Sequence, residues 1–185
     1  MKSLLLTTLF GVVASAGSVV ASPHQTSADN IDAGYSALKI FLEDEQYLTA
    51  IRRVKTVITF EGVSGPTGKL IDSIADFSEQ ALQELEALAS AKPAIVFEDF
   101  DENSIGKATL DSMRYATAKE FLLDGDDFEK NLLLSQSQIL RVISHLAKQL
   151  EQKESNPKRK AWLNKLAKHY EEYYRQVYAR ISVNA

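Results

Sequence analysis

With 185 residues, 21 Lys and Arg against 25 Asp and Glu, and a net charge of −4, the chain lacks the basic excess of a general nucleic-acid binder. Having no cysteine, it can form neither a thiol nucleophile, a disulfide nor a thiolate metal ligand. Its size suits one domain that buries roughly two-thirds of its unfolded surface without covalent staples.

The first stretch reads as an address. Lys2 precedes an apolar run from Leu4 to Val13, and Val19-Val20-Ala21 offers small or modest residues where a signal peptidase reads them. Ala14-Ser15-Ala16 offers a second cleavage site. The run is diluted by Thr7, Thr8, Gly11 and Ser15 and falls short of the roughly 20 apolar residues a span requires. A cleaved signal over 1–21 is expected, with no stable membrane span afterwards. Without cysteines or an Asn-x-Ser/Thr acceptor, the expected destination is the bacterial periplasm or the exterior.

Residues 22–30 are polar and form a flexible lead-in. A start at Ser22-Pro23-His24 places His24 third, as in amino-terminal copper sites, but Pro23 has no amide proton to give up. That site cannot close. From 31 to 185 a single domain is expected. Tyr35, Leu38, Phe41, Leu42, Leu48, Ile51, Val54 and Ile58 recur at helical spacing over Ile31–Phe60, as one helix or two. Val63-Ser64-Gly65-Pro66-Thr67-Gly68 is a loop, and no strand precedes it to make a phosphate cradle. A helix over about 67–91 turns Ile71, Ile74, Phe77, Ala81, Leu85 and Leu88 inward and ends at Lys92-Pro93. Ala94 to Phe97 is β-favouring but too short and isolated for a sheet.

Glu98-Asp99-Phe100-Asp101-Glu102-Asn103 is the densest acidic run. Asp99, Asp101 and Asn103 match the opening spacing of a calcium loop, yet Ser104 and Leu110 stand where Gly and a bidentate Glu are required. The run instead leads into a helix over about 105–123, favoured by the helix dipole. Phe128, Leu132, Ile139, Val142, Ile143, Leu146 and Leu150 then mark a helix to about Lys153. Asn156-Pro157 caps and starts another, striped by Trp162, Leu166, Tyr170, Tyr173, Val177 and Ile181. So short a connection makes these two helices antiparallel. The whole predicts an all-α, up-and-down bundle of four or five amphipathic helices.

Catalytic constellations are missing. The Glu-x-x-His pairs of di-metal bundles fail because Val142 and Leu166 stand three residues before His145 and His169. Glu120, Glu129 and Glu151 have no diagnostic spacing for a carboxylate metal site, so any metal ligand stays unassigned. Met113 with a histidine is a conceivable haem pair but reads better as core filler, and His145 reads as partly buried. No cofactor is expected. Two features suggest binding. Tyr170, Tyr173, Tyr174 and Tyr178 wrap around one helix, so Tyr174 and Tyr178 should reach solvent. Lys158, Arg159 and Lys160 sit at a helix N-terminus, where the dipole disfavours cations. Either Glu151 and Glu154 or an anionic partner must offset them. Tyr170, Tyr174, Tyr178, Lys158, Arg159 and Lys160 are the candidate binding residues.

The run from Phe128 through Leu150, then Asn156-Pro157 and Lys160-Ala161-Trp162 with a long final helix, resembles the secreted bacterial ferritin-like bundles of unknown function. Ile74-Ala75-Asp76-Phe77 with Leu82 to Ala89 is similar to their earlier helix. Members tend to carry an Asp-His pair there, whereas Asp76 is followed by Phe77 and Ser78. The resemblance implies an exported bundle and transfers no site. The expected function is an exported, non-enzymatic bundle that binds a protein partner or small ligand. The alternative is a metal- or haem-dependent oxidoreductase in the bundle core.

Overall fold

The computed structural model describes residues 31–45, 50, 63, 65–98, 108–109, 111–116, 119 and 128–183. They form an all-α bundle with no strand among the described residues. The expected signal, the polar lead-in, residues 46–49 and 51–62 with Leu48, Ile51, Val54 and Ile58, the acidic run beyond Glu98 and much of the helix expected over 105–123 lie outside them.

Helix α1 covers 31–45 and buries Tyr35, Leu38, Leu42 and Glu45, a stripe at three- and four-residue spacing. Gly34 lets α1 lie close on its neighbour, because a Cβ there would stand 2.7 Å from Leu150 Cδ2. Helix α2, Gly65–Ala89, begins with Pro66 in its first turn, where the missing N–H is harmless. It buries Leu70, Ile71, Ile74, Ala81 and Leu85 and stops just ahead of Pro93. The chain then runs extended over 94–98, anchored by Ile95 N–H on the Ala89 carbonyl and Glu98 N–H on Ser36 Oγ, both within 2.9 Å. A short helical segment α3, 111–116, is tied to α1 by Arg114 and Asp44 at 2.6 Å.

Helices α4, Phe128–Lys153, and α5, Pro157–Val183, form the antiparallel hairpin. Asn156 caps α5 as expected, its Oδ1 accepting from the N–H groups of Lys158 and Arg159. Ser144 Oγ donates to the Ala167 carbonyl, and Lys148 pairs with Glu171 at 2.8 Å, so the pair is stitched along its length. Trp162 Nε1 reaches Glu84 on α2, and Tyr170 meets Ser78 at 2.6 Å, bringing α2 onto α5. One apolar cluster fills the space between α1, α2, α4 and α5.

Three expectations about side-chain placement are corrected. Val142 is 44% exposed, because the core stripe of α4 runs through Leu132, Leu133, Gln136, Leu140, Ile143, Ser144, Ala147 and Leu150. His145 is exposed. Met113 is 62% exposed and fills no core.

Candidate binding surface

Two of the six candidate binding residues are interior. Arg159 is only 2% exposed, and its charge is met within the fold. Its Nε and Nη2 fork onto the Glu154 carboxylate at 2.7 and 3.1 Å, while Nη1 donates to the Ala91 carbonyl at 2.7 Å. Tyr35 OH and Asn156 N–H donate to the same carboxylate, at 2.5 and 2.6 Å. Burial on its own raises the Glu154 carboxyl. The hydrogen bonds from Arg159, Tyr35 and the Asn156 backbone outweigh it and hold the group below the ordinary carboxylate range. Asn156 Nδ2 adds a bond to the Lys92 carbonyl at 2.8 Å. The hairpin's closed end is thereby fastened to α1 and to the segment after α2. The cation at the helix N-terminus is offset by Glu154, one of the two intrahairpin partners expected.

Tyr170 is wholly buried and hydrogen-bonded to Ser78. Burial raises its phenol well above the ordinary tyrosine range. It shares the interior with Glu45, whose carboxyl is pushed up to about 8, first by burial and also by Asp44. The Gln136 amide pulls that value down without closing a well-aligned hydrogen bond. Arg159 and Tyr170 are therefore scaffold, and neither is placed to touch a partner.

The other four reach solvent, on different faces. Lys158 lines a groove of about 780 Å³ between α2 and α5, beside the stacked rings of Phe77 and His169 at 4.7 Å. Lys160 is exposed outside it. Tyr174 and Tyr178 stand together elsewhere, their rings 6.0 Å apart, on the outer face of the hairpin. There they join Leu134, Val142, Leu146 and Ile181 in a trough of about 720 Å³ between α4 and α5. Leu134 is 40% exposed and Tyr178 is 56% exposed, so this apolar surface lies outside the core.

Arg141 lies in the same trough with its guanidinium 5.6 Å from the Tyr174 ring centre. Sequence reading missed it, along with the outward role of Val142 and Leu134. The available signal was the run 130–150, which contains no Asp or Glu while the chain holds 25.

The grooves along α5 differ in chemistry. The α2–α5 groove mixes Lys158 and Lys165 with Glu84, which is engaged by Trp162. A third trough, about 920 Å³, lies between the start of α2 and the end of α5 and exposes Lys69 and Arg180. Of these three grooves among the described residues, the α4–α5 trough combines several half-exposed large apolar residues with an aromatic-stacked cation. Among the described residues, no three His, Asp or Glu side chains converge as a metal site. No described helix is long and apolar enough to cross a membrane.

Comparison with known proteins finds no matching family, no matching curated protein and no matching solved structure.

Proposed function

We propose that this chain is an exported, non-enzymatic helical-bundle module that binds a protein partner through the outer face of its α4–α5 hairpin. The observation that carries the reading is the trough in which Leu134, Val142, Tyr174 and Tyr178 leave apolar surface in water at the edge of the buried core cluster. Contiguous apolar patches on a folded protein mark interaction sites, and exposed tyrosine is enriched there. Export rests on the pattern of residues 1–21. The partner binds to a surface already formed, since α4 and α5 are stitched together by Ser144 Oγ on the Ala167 carbonyl and by Lys148 with Glu171.

A photo-crosslinking amino acid placed at Val142 in the producing cell tests this. A discrete crosslinked species is expected from position 142 and not from Gln83, which is exposed on α2. Equal yields from the two positions, or none from 142, would overturn the reading.

A further inference from the structure

We infer that the α4–α5 trough takes an amphipathic helix of the partner whose apolar stripe includes one Asp or Glu, and that Arg141 reads this carboxylate. The inference rests on the proposed binding function and adds the chemistry of the occupant.

Among the described residues lining the trough, Arg141 is the one Lys or Arg, and none is acidic. It pairs with no carboxylate among the described residues; its one described contact is the face of Tyr174. Stacking on an aromatic ring orients a guanidinium while leaving its N–H fork free. That fork matches a carboxylate through two parallel hydrogen bonds. The surroundings strengthen the selection. Along α4, residues 130–150 carry Lys130, Arg141 and Lys148 and no acid. Lys148 is already engaged by Glu171 at 2.8 Å, as is Arg175. Among the described residues, Arg141 is thus the cation of the trough's apolar lining that meets no carboxylate, in a protein that is net negative.

Shape decides between occupants of that chemistry. From Leu134 to Gln149 the strip extends roughly 22 Å at the rise of an α-helix. The trough follows the seam between two antiparallel helices, into which a third helix packs ridge into groove. Leu134, Val142 and Tyr178 keep about half their surface in water, so the trough is shallow. A fatty acid lying in it would stay largely wet, whereas small-molecule sites enclose most of their ligand. A helix needs to bury only one stripe. A second copy of this chain fits poorly, because twofold pairing of this face would bring Arg141 to a strip with no acid to receive it.

The test is selection of a displayed library of roughly 18-residue helical peptides on the full-length protein and on Arg141→Gln. Peptides enriched on the wild type should share an Asp or Glu flanked by large apolar residues three or four positions away. Replacing that acid by its amide should weaken binding about tenfold. Against Arg141→Gln, acid and amide forms should bind alike, and Arg141→Lys should restore only part of the preference, since it lacks the planar fork. Arg141 is an exposed side chain, so Arg141→Gln should stay folded, as circular dichroism would check. Peptides selected without an acid, or an acid preference that persists in Arg141→Gln, would overturn the inference. So would tight binding of palmitate at the trough, or a dimer in sedimentation that Val142→Ser dissolves. If crosslinking from position 142 succeeds while the acid preference is absent, only this inference fails. If position 142 captures nothing, the underlying binding function fails with it.

Discussion

Helices α2 and α4 bury similar stripes against the same core and differ in what they turn to water. The outward side of α2 carries Asp76, Glu79, Glu84 and Glu86, interspersed with Gln80 and Gln83. That is an ordinary solvated face, and single exposed charges there contribute little. The outward side of α4 shows Leu134, Val142, His145 and Arg141, and has no acid between Glu129 and Glu151. Two helices of one bundle therefore obey the same rule inside and different rules outside. Core packing explains the inner stripes of both. It leaves the outer stripe of α4 without a stabilising role, and a partner gives it one.

The largest expected effect comes from breaking the frame on which both helices depend. Arg159→Ala leaves the buried Glu154 carboxylate without its fork and strips the Ala91 carbonyl of its donor. Removing one member of a buried pair costs about 3–5 kcal/mol, a large part of a domain stability of about 5–15 kcal/mol. Urea titration should show the midpoint falling sharply, and a variant as stable as wild type would show that the Glu154–Arg159 pair does not hold the hairpin's closed end. Next come the neighbours Val142 and Ile143, about 100° apart around α4, the first exposed and the second buried. Ile143→Ala should cost about 2–4 kcal/mol through lost burial and a residual cavity, and Val142→Ala within about 0.5 kcal/mol. Equal losses would mean that α4 has no separate outer face.

A third prediction concerns the interior beneath the trough. Glu45 keeps its proton to about 8 in the folded protein, whereas in the unfolded chain it titrates near the ordinary value of 4.5. Between these values the native state holds more protons, so stability falls as pH rises through the window. Asp44, also raised by burial against the pull of Arg114, acts in the same direction. Glu154 acts oppositely but only in acid, where falling pH protonates it and removes its contribution. Denaturation at pH 5 and pH 8 should show the higher stability at pH 5. Glu45→Gln should flatten most of that difference, and an unchanged slope would show that Glu45 is not the group responsible.

What could be read beforehand follows from the physics of each signal. Asn156-Pro157 was legible to the residue, since capping and the tolerance for proline at a helix start are local properties. The inner stripe of α2 was legible because Ile71, Ile74, Ala81 and Leu85 are all apolar. The stripe of α4 was legible in part: Phe128, Leu132, Ile143 and Leu150 are buried and Ile139 and Leu146 pack against the core, while Val142 faces water. Its core also includes Gln136, Ser144 and Ala147, which hydropathy passes over, and its outer face includes Val142, which hydropathy draws inward. Arg159 was misplaced to the surface for a different reason. Its burial depends on Tyr35 and Ala91, more than sixty residues away in sequence, and no local pattern announces such a partner. Tyr170 was counted both for the core stripe and for the binding face, and Ser78 on α2 settles it inside. Met113 shows the converse, an apolar residue expected in the core and found in water.

The smallest structural effect is expected at the outer face itself. A photo-crosslinker at Tyr178, combined with Val142→Ser, should leave the urea midpoint within about 0.5 kcal/mol of the protein with the crosslinker alone. The yield of the partner adduct should fall about tenfold, as loss of a central apolar contact does in a small interface. An undiminished yield at unchanged stability would contradict the assignment of the α4–α5 outer face as the binding surface.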